Sequence, residues 1–493
     1  MNIFSACLLI LYMTAAILLM LYGMNCYIMI ALFQRSRLVS EKISKDVREK
    51  FGNLTEYSDL PMITTQIPVY NELNVVERVM RAVCRMEYPD DLHDIQVLDD
   101  STDETRELID KTAALLRSEG HRIRVIRREH RTGYKAGALA NGLPRARGEL
   151  IAIFDADFVP PEKFLVESIP FFLADKQTGF VQARWGHLNR QTSLLTRAQS
   201  IGIDGHFMVE QAARNRNGLF MNFNGTAGLW RKEAIQDGGG WQWDTLTEDM
   251  DLSYRVQFAG WNTVFLSDLI VPAEIPEDVS AFKSQQFRWA KGSVQTALKL
   301  LPQLWRMPIP FFKKLQSFFH LTHYLVHPLM LILALFALPV LLTCNVNPGK
   351  IVFTLIAFIL LFAMTAPSAI YLVSQRAAYP KGWFSRILCM PVLILIGVGV
   401  AVSNSRAVFE AVTGKKSEFV RTPKRGAHEK KHYSVRLPRV MYFEILMGCY
   451  CAGSLGYYLF AGKFLIGPFL AVYAAGFLFI GLLTLFHTIK VSK

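Results

Sequence analysis

The chain has 493 residues, of which 51% are hydrophobic and only 19% charged, so it is long enough for a full-sized soluble domain and too apolar to be soluble throughout. Its net charge of +13 fits nucleic acid, a membrane surface or anionic substrates, and the placement of the charge decides among them. Seven cysteines form no metal-spaced pairs and five lie in apolar segments, which excludes a disulfide framework and a zinc site.

Met1 to Gln34 holds no charged residue, more than the roughly 20 residues that a bilayer requires. This predicts a transmembrane helix over 1–34. A cleaved leader would have a basic start, whereas here Arg35, Arg37, Lys42 and Lys45 follow the apolar run. The positive-inside rule then places the next segment in the cytosol.

Residues 35–305 read as a soluble α/β domain. The β-rich runs Met62 to Ile67, Ile95 to Leu98, Ile123 to Ile126 and Leu150 to Phe154 alternate with helical stretches such as Asn74 to Arg85 and Asp103 to Ser118. That alternation predicts a parallel sheet with crossover helices, whose ligands sit beyond the carboxyl ends of the strands. Polar clusters stand at three such ends: Pro68 to Glu72, Asp99-Asp100-Ser101 and Asp155-Ala156-Asp157.

From 306 to 413 the chain becomes membrane-like. Ala297 to Phe319 mixes basic, aromatic and apolar residues, as an interfacial helix does. The segments 321–342, 351–373, 387–402, 441–460 and 465–486 are then candidates for spans. If all crossed, the loop 414–440, with nine Lys or Arg against two Glu, would lie outside. Treating 387–402 as interfacial or re-entrant keeps that loop cytosolic, which leaves one span before the soluble domain and two pairs after it. The C-terminus is then cytosolic and the N-terminus outside or lumenal.

Each chemical motif has a plainer reading beside it. Asp155-Ala156-Asp157 suits a turn, but its place after an apolar strand, with a second Asp pair at an earlier strand end, suits a divalent cation that also takes diphosphate oxygens. One of Asp99 and Asp100 is expected to cap the next helix, leaving the other for a ligand. Tyr70 offers a flat face to a nucleobase, or is a core tyrosine. Lys135, in His130 to Leu139, opposes the dipole of the helix it opens, which makes sense beside an anion; a surface lysine is the alternative. Thr247-Glu248-Asp249 opens a helix over Met250 to Ala259, where acids also serve capping alone. Arg288-Trp289 suits an interfacial anchor as well.

In their order, the Asp pair, the Asp-X-Asp, Thr247-Glu248-Asp249 and Gln285-X-X-Arg288-Trp289 resemble the processive family 2 glycosyltransferases, the group of cellulose, hyaluronan and chitin synthases. The likeness is closer to the cellulose-synthase-like A type, the (gluco)mannan synthases, through Lys135 to Leu139, Gln182-Ala183-Arg184-Trp185, Phe223 to Gly228 and Glu248 to Leu252. The resemblance implies a GT-A-like, Rossmann-type domain set in a helical membrane region. It implies donor contacts from Tyr70, Glu72, Asp99 or Asp100, Lys135, Asp155, Gln285 and Arg288, and a Mg2+ or Mn2+ ion on Asp155 and Asp157. Asp249 would be the general base with Glu248 beside it, and Trp289 and Trp185 would meet the acceptor sugar. Phe419 to Lys424 resembles a gating loop through Phe419, Thr422 and Lys424, with Arg421 standing where a valine is usual.

The expected activity is therefore inverting, processive β-glycosyl transfer from UDP-glucose or GDP-mannose into a glucan, mannan or glucomannan that crosses a plasma or Golgi membrane. A non-processive, glycolipid-forming transferase is the alternative. A transporter leaves the carboxylate clusters unexplained and has few ionisable groups in its spans. A glycoside hydrolase needs no Asp-X-Asp with Lys and Arg. Nucleic acid is excluded as a partner because the basic excess gathers at membrane flanks and in one loop. Accessory subunits have no signature.

Overall fold

The computed structural model describes residues 3–54, 57, 60–344, 350–415, 424, 426 and 439–491. Its soluble part is built on a sheet of seven strands: β1 (Ile63–Val69), β2 (His93–Asp99), β3 (Ile123–Ile126), β4 (Leu150–Ile153), β5 (Thr178–His187), β6 (Gly228–Arg231) and β7 (Asn262–Ala273). The order across the sheet is β3-β2-β1-β4-β6-β5-β7. The four strands read from sequence are β1 to β4, and they pair in parallel.

The sheet is mixed rather than wholly parallel, because β6 runs antiparallel to both β4 and β5. The chain reverses just before it, through left-handed backbone at Gly225 (φ 81°) and Ala227 (φ 57°). Gly228 then enters a gap in which a Cβ would lie 2.3 Å from the Phe223 ring. β5 is buried along almost its whole length, so it shows no alternation to mark it as a strand.

One face of the sheet packs Val76, Val79, Phe164 and Ile169 from its covering helices, and the other packs Ala138, Leu139 and Ala212. Met29, Ile30 and Phe33 of the N-terminal helix join this second face, so that helix is part of the core of the soluble domain. The chain leaves β1 toward β2 and β3 and returns on the other side as β4. That reversal of order opens a crevice at the carboxyl ends of β1 and β4.

The N-terminal helix is longer than the 34 residues expected, running unbroken over Ile3–Phe51. Its charged end is tied to the soluble domain, with Arg48 Nη2 donating to Asp268 Oδ1 at 3.1 Å. Val326–Thr343, Lys350–Ala378, Val440–Phe460 and Gly467–Val491 occupy the other four expected spans. By length and hydropathy alone, three described helices are fit to cross a membrane: Ile3–Phe51, Phe311–Thr343 and Gly467–His487. In the region of 387–402, Trp383–Gly399 meets Ala401–Val412 at a bend of 42°, the geometry of a broken span or a re-entrant turn. Phe443, Leu446, Phe460 and Phe486 point outward, as lipid-facing side chains do.

The stretch expected as one interfacial helix is two. A long helix, Val279–Arg306, ends before Pro308 and Pro310, and Phe311–Thr322 begins after them. The long helix is joined to the membrane helices by buried ion pairs, Lys283 to Glu444 at 2.7 Å and Lys291 to Glu410 at 3.1 Å.

Candidate active site

The carboxyl ends of β1, β4, β5 and β7 border one cavity of about 200 Å³. Tyr70 and Glu72 enter it from β1, Asp155 and Asp157 from β4, Trp185 from β5, and Glu248 and Asp249 from the helix Glu248–Phe258. Gln285, Arg288 and Trp289 reach it from the long helix, and Lys424 from the basic loop. Phe419 and Thr422 lie outside the described residues.

The acidic helix and the long helix meet because a glycine allows it. A Cβ on Gly292 would stand 2.6 Å from Thr247 Cγ2, so a side chain there would separate Glu248 and Asp249 from Arg288 and Trp289. Met250 N donates to Asp249 Oδ1 at 2.8 Å, which turns that carboxylate over the start of its own helix. Gly225 supplies the facing backbone. With φ at +81°, a Cβ there would lie 3.0 Å from Asp249 Oδ2 and 3.2 Å from Lys135 Nζ.

Burial, and then the neighbouring Glu248 charge, push Asp249 up to about 7, against an opposing pull from Lys135. Burial raises Glu248 as well, with Lys135 and Arg288 opposing. Burial alone would lower Lys135; Asp155 first, then Glu248 and Asp249, reverse that and raise it. Arg288 is lowered by burial while Glu248, Asp155 and Asp249 oppose. These groups therefore feel one another as a single electrostatic unit.

The anion expected beside Lys135 is a carboxylate of the chain itself. Lys135 Nζ lies 2.6 Å from Asp155 Oδ1 and donates to the Gly225 carbonyl at 2.9 Å. Asp157 is met by Lys424, Nζ to Oδ2 at 2.7 Å. Among the described residues no three His, Cys, Asp or Glu side chains form a closed metal cage. Two hard carboxylates beside an open cavity do fit a Mg2+ or Mn2+ ion whose remaining ligands are water and phosphate oxygens.

Neither Asp99 nor Asp100 caps the next helix, Thr105–Ser118, as one of them was expected to; Asp103 lies at its start, Oδ1 accepting from Thr105 N at 3.1 Å. Asp99 is buried, accepts from Ser101 N at 2.9 Å and pairs with Arg127 at 2.7 Å, and it stands behind the cavity. Asp100 borders the cavity, held by Arg128 through bonds of 2.8 and 2.6 Å. The Tyr70 ring, expected to be open for a base, is covered by the Arg131 guanidinium at 3.4 Å from its centroid. Trp185 packs edge-on to Phe158 at 5.2 Å, and among the described residues its buried indole N–H has no hydrogen-bond partner. Trp289 packs against the apolar cluster of Val294, Tyr324 and Ala407.

Several residues at the site were not read from the sequence. Arg131 and Arg128 precede the Gly133 turn and resemble any basic loop. Glu274, which borders the cavity and pairs with Arg78 at 2.8 Å, follows β7, a strand that was not recognised. Asn224 and Gly225 were quoted only as part of a motif, without a role.

Residues 61–292 match the family model described as glycosyltransferase like family 2. The chain is 35% identical over 439 residues to probable glucomannan 4-beta-mannosyltransferase 10 of Arabidopsis thaliana, covering 85% of this chain and 77% of that protein. It is 33% identical to probable glucomannan 4-beta-mannosyltransferase 11 of the same plant, covering 86% of this chain and 97% of the relative. Among solved structures, the mannosyltransferase PcManGT of Pyrobaculum calidifontis in complex with GDP-Man and Mn2+ aligns with a TM-score of 0.46 at 17% identity, covering 80% of this chain and all of that one.

Proposed function

Because the chain belongs to the glucomannan 4-beta-mannosyltransferase family, the cellulose-synthase-like A group of family 2, and is a nucleotide-sugar hexosyltransferase, we propose that it polymerises a β-linked mannan or glucomannan. The donor is GDP-mannose or UDP-glucose, the acceptor is the growing chain, and the product leaves through the membrane helices. The soluble domain faces the cytosol of a Golgi or plasma membrane. The observation that carries this reading is the meeting in one cavity of the Asp155 and Asp157 carboxylates, the raised Asp249, Arg288 and Trp289, beside the long helix that is ion-paired to the membrane helices.

The residues divide the transfer among them. Asp249, poised near neutrality, takes the proton from the acceptor hydroxyl as that oxygen attacks the anomeric carbon of the donor sugar. Arg288 and Lys135 place positive charge where the nucleoside diphosphate departs. One displacement inverts the anomeric centre, so an α-linked donor yields a β-linkage. Trp289 offers an aromatic face to the acceptor, and Asp100 and Tyr70 border the nucleoside end. Asp155 and Asp157 would hold a divalent ion, which when bound offsets charge on the diphosphate.

Purified protein in lipid is incubated with GDP-mannose and with UDP-glucose separately, and the products are sized and digested with β-mannanase and β-glucanase. A long, mannanase-sensitive polymer that Asp249→Asn fails to make is the expected result. A single sugar on lipid would replace polymerisation with glycolipid synthesis.

A further inference from the structure

We propose that Lys424 is a built-in cation of the Asp157 site, and that its ammonium and a divalent ion occupy Asp157 in alternation. This rests on the reading of Asp155 and Asp157 as the ion-holding pair.

Lys424 does not lie casually against the acid. Its Nζ has Asp157 Oδ2 at 2.7 Å and donates to the Glu274 carbonyl at 2.8 Å, with the Lys424 and Asp157 side chains only 11% and 10% exposed. A carboxylate oxygen beside a backbone carbonyl is also a donor set that a hard divalent ion accepts. The ammonium and the ion therefore compete for the same oxygens.

The surroundings hold the lysine there. Asn74 Nδ2 donates to the Lys424 carbonyl at 2.9 Å, and Gly426 N donates to Glu274 Oε2 at 3.2 Å. Gly426 has φ at +72°, and a Cβ on it would meet the Asn74 carbonyl oxygen at 2.4 Å, so only glycine lets the backbone approach this closely. Arg78 braces the other side, Nη2 donating to the Asp157 carbonyl at 3.2 Å and pairing with Glu274 Oε1 at 2.8 Å. Glu274 thereby links the strand end β7, the residue Arg78 and the loop glycine in one mount. A solvated surface lysine would need none of these tethers.

With Lys135 on Asp155, both acids of the pair carry a lysine before any donor arrives. A divalent ion entering alone must displace the ammonium into solvent. One arriving with a nucleoside diphosphate brings oxygens that accept the displaced Lys424 in turn. Ion binding is thus coupled to donor binding, and the donor-free enzyme holds its ion weakly.

The test is Mn2+ binding to the full chain in detergent, followed by electron paramagnetic resonance without nucleotide and then with GDP and with UDP. If Lys424 holds Asp157 about nine-tenths of the time, Lys424→Met binds Mn2+ alone about tenfold more tightly than the parent, since apparent affinity scales with the competent fraction. Lys424→Arg keeps the parent's weak binding. Asn74→Ala, which loosens only the backbone tether, moves the same way by a smaller factor. Asp157→Asn loses the site. Equal Mn2+ affinity in the parent and Lys424→Met overturns the proposal, and so does undiminished binding in Asp157→Asn. Sugar transfer measured on the same preparations separates this result from the functional reading: a Mn2+ shift without transfer keeps the competition and removes polymer synthesis, and transfer without a shift does the reverse.

Discussion

Asp155 and Asp157 each have a lysine within 2.7 Å, whereas among the described residues no lysine or arginine pairs directly with Glu248 or Asp249. The two acidic pairs border one cavity and consist of the same kind of side chain, yet their surroundings prepare them for opposite tasks. Lysine contact supplies counter-charge to the first pair, so it is ready to exchange one cation for another. Burial pushes the second pair upward, and the Glu248 charge pushes Asp249 further, so the pair is ready to exchange a proton. The lesson is that a carboxylate's role follows from what stands beside it more than from the motif that contains it.

The largest effect that separates the pairs is expected from Asp249→Asn. Loss of a general base costs roughly 10²- to 10⁴-fold, so kcat should fall by that much while affinity for a nucleoside diphosphate stays near that of the parent. Stability gives an independent readout. The folded-state value of about 7 is raised above the ordinary 3.8, so the folded protein binds this proton more tightly than the unfolded one. The corresponding stability is present at low pH and lost as pH rises toward 7. Asp249→Asn should therefore melt above the parent at pH 8 and draw level near pH 4. A variant that is inactive and also less stable at pH 8 would show that Asp249 has a structural role.

Gly225 stands between the pairs, and Gly225→Ala should disturb both. The new Cβ would meet Asp249 Oδ2 at 3.0 Å and Lys135 Nζ at 3.2 Å on a backbone with φ at +81°. A left-handed non-glycine residue costs about 1–2 kcal/mol, so a lowered melting temperature is expected together with a drop in kcat of about tenfold for roughly 1.4 kcal/mol of lost transition-state stabilisation. Unchanged kcat would mean that the two pairs do not depend on this close approach.

Much of this comparison was legible in the sequence, and its limits have physical causes. β1 to β4 were readable because each is a short apolar run ending in polar residues, and Asp155, Asp157, Glu248 and Asp249 followed from their places at element ends. β5 was not, because a strand buried nearly throughout has no period-two signal. Without β7 there was no strand end to place Glu274. The expectation that one Asp of the pair caps the next helix fails because Asp103 takes that place; which Asp turns outward depends instead on Arg127 and Arg128, neighbours in sequence that leave the strand in different directions. Nor could it show that Arg131 covers Tyr70, since stacking depends on a loop path that no pattern encodes.

The finest test is the position of the acid limb of kcat/KM. If Asp249 must be ionised to take the acceptor proton, the rate should fall about tenfold per pH unit below its value near 7 and level off above it. Removing the neighbouring negative charge with Glu248→Gln lowers the Asp249 value, so the limb should move to lower pH by up to about one unit. The limb should stay above the ordinary carboxylate range because burial, the larger cause, remains. Lys135→Met removes a charge that pulls Asp249 downward, so its limb should move to higher pH. At pH 8 the Glu248→Gln enzyme should be nearly as fast as the parent, and the difference should open only below neutrality. Opposite movements in the two variants would establish that Asp249 is tuned at once by a negative neighbour, Glu248, and a positive one, Lys135.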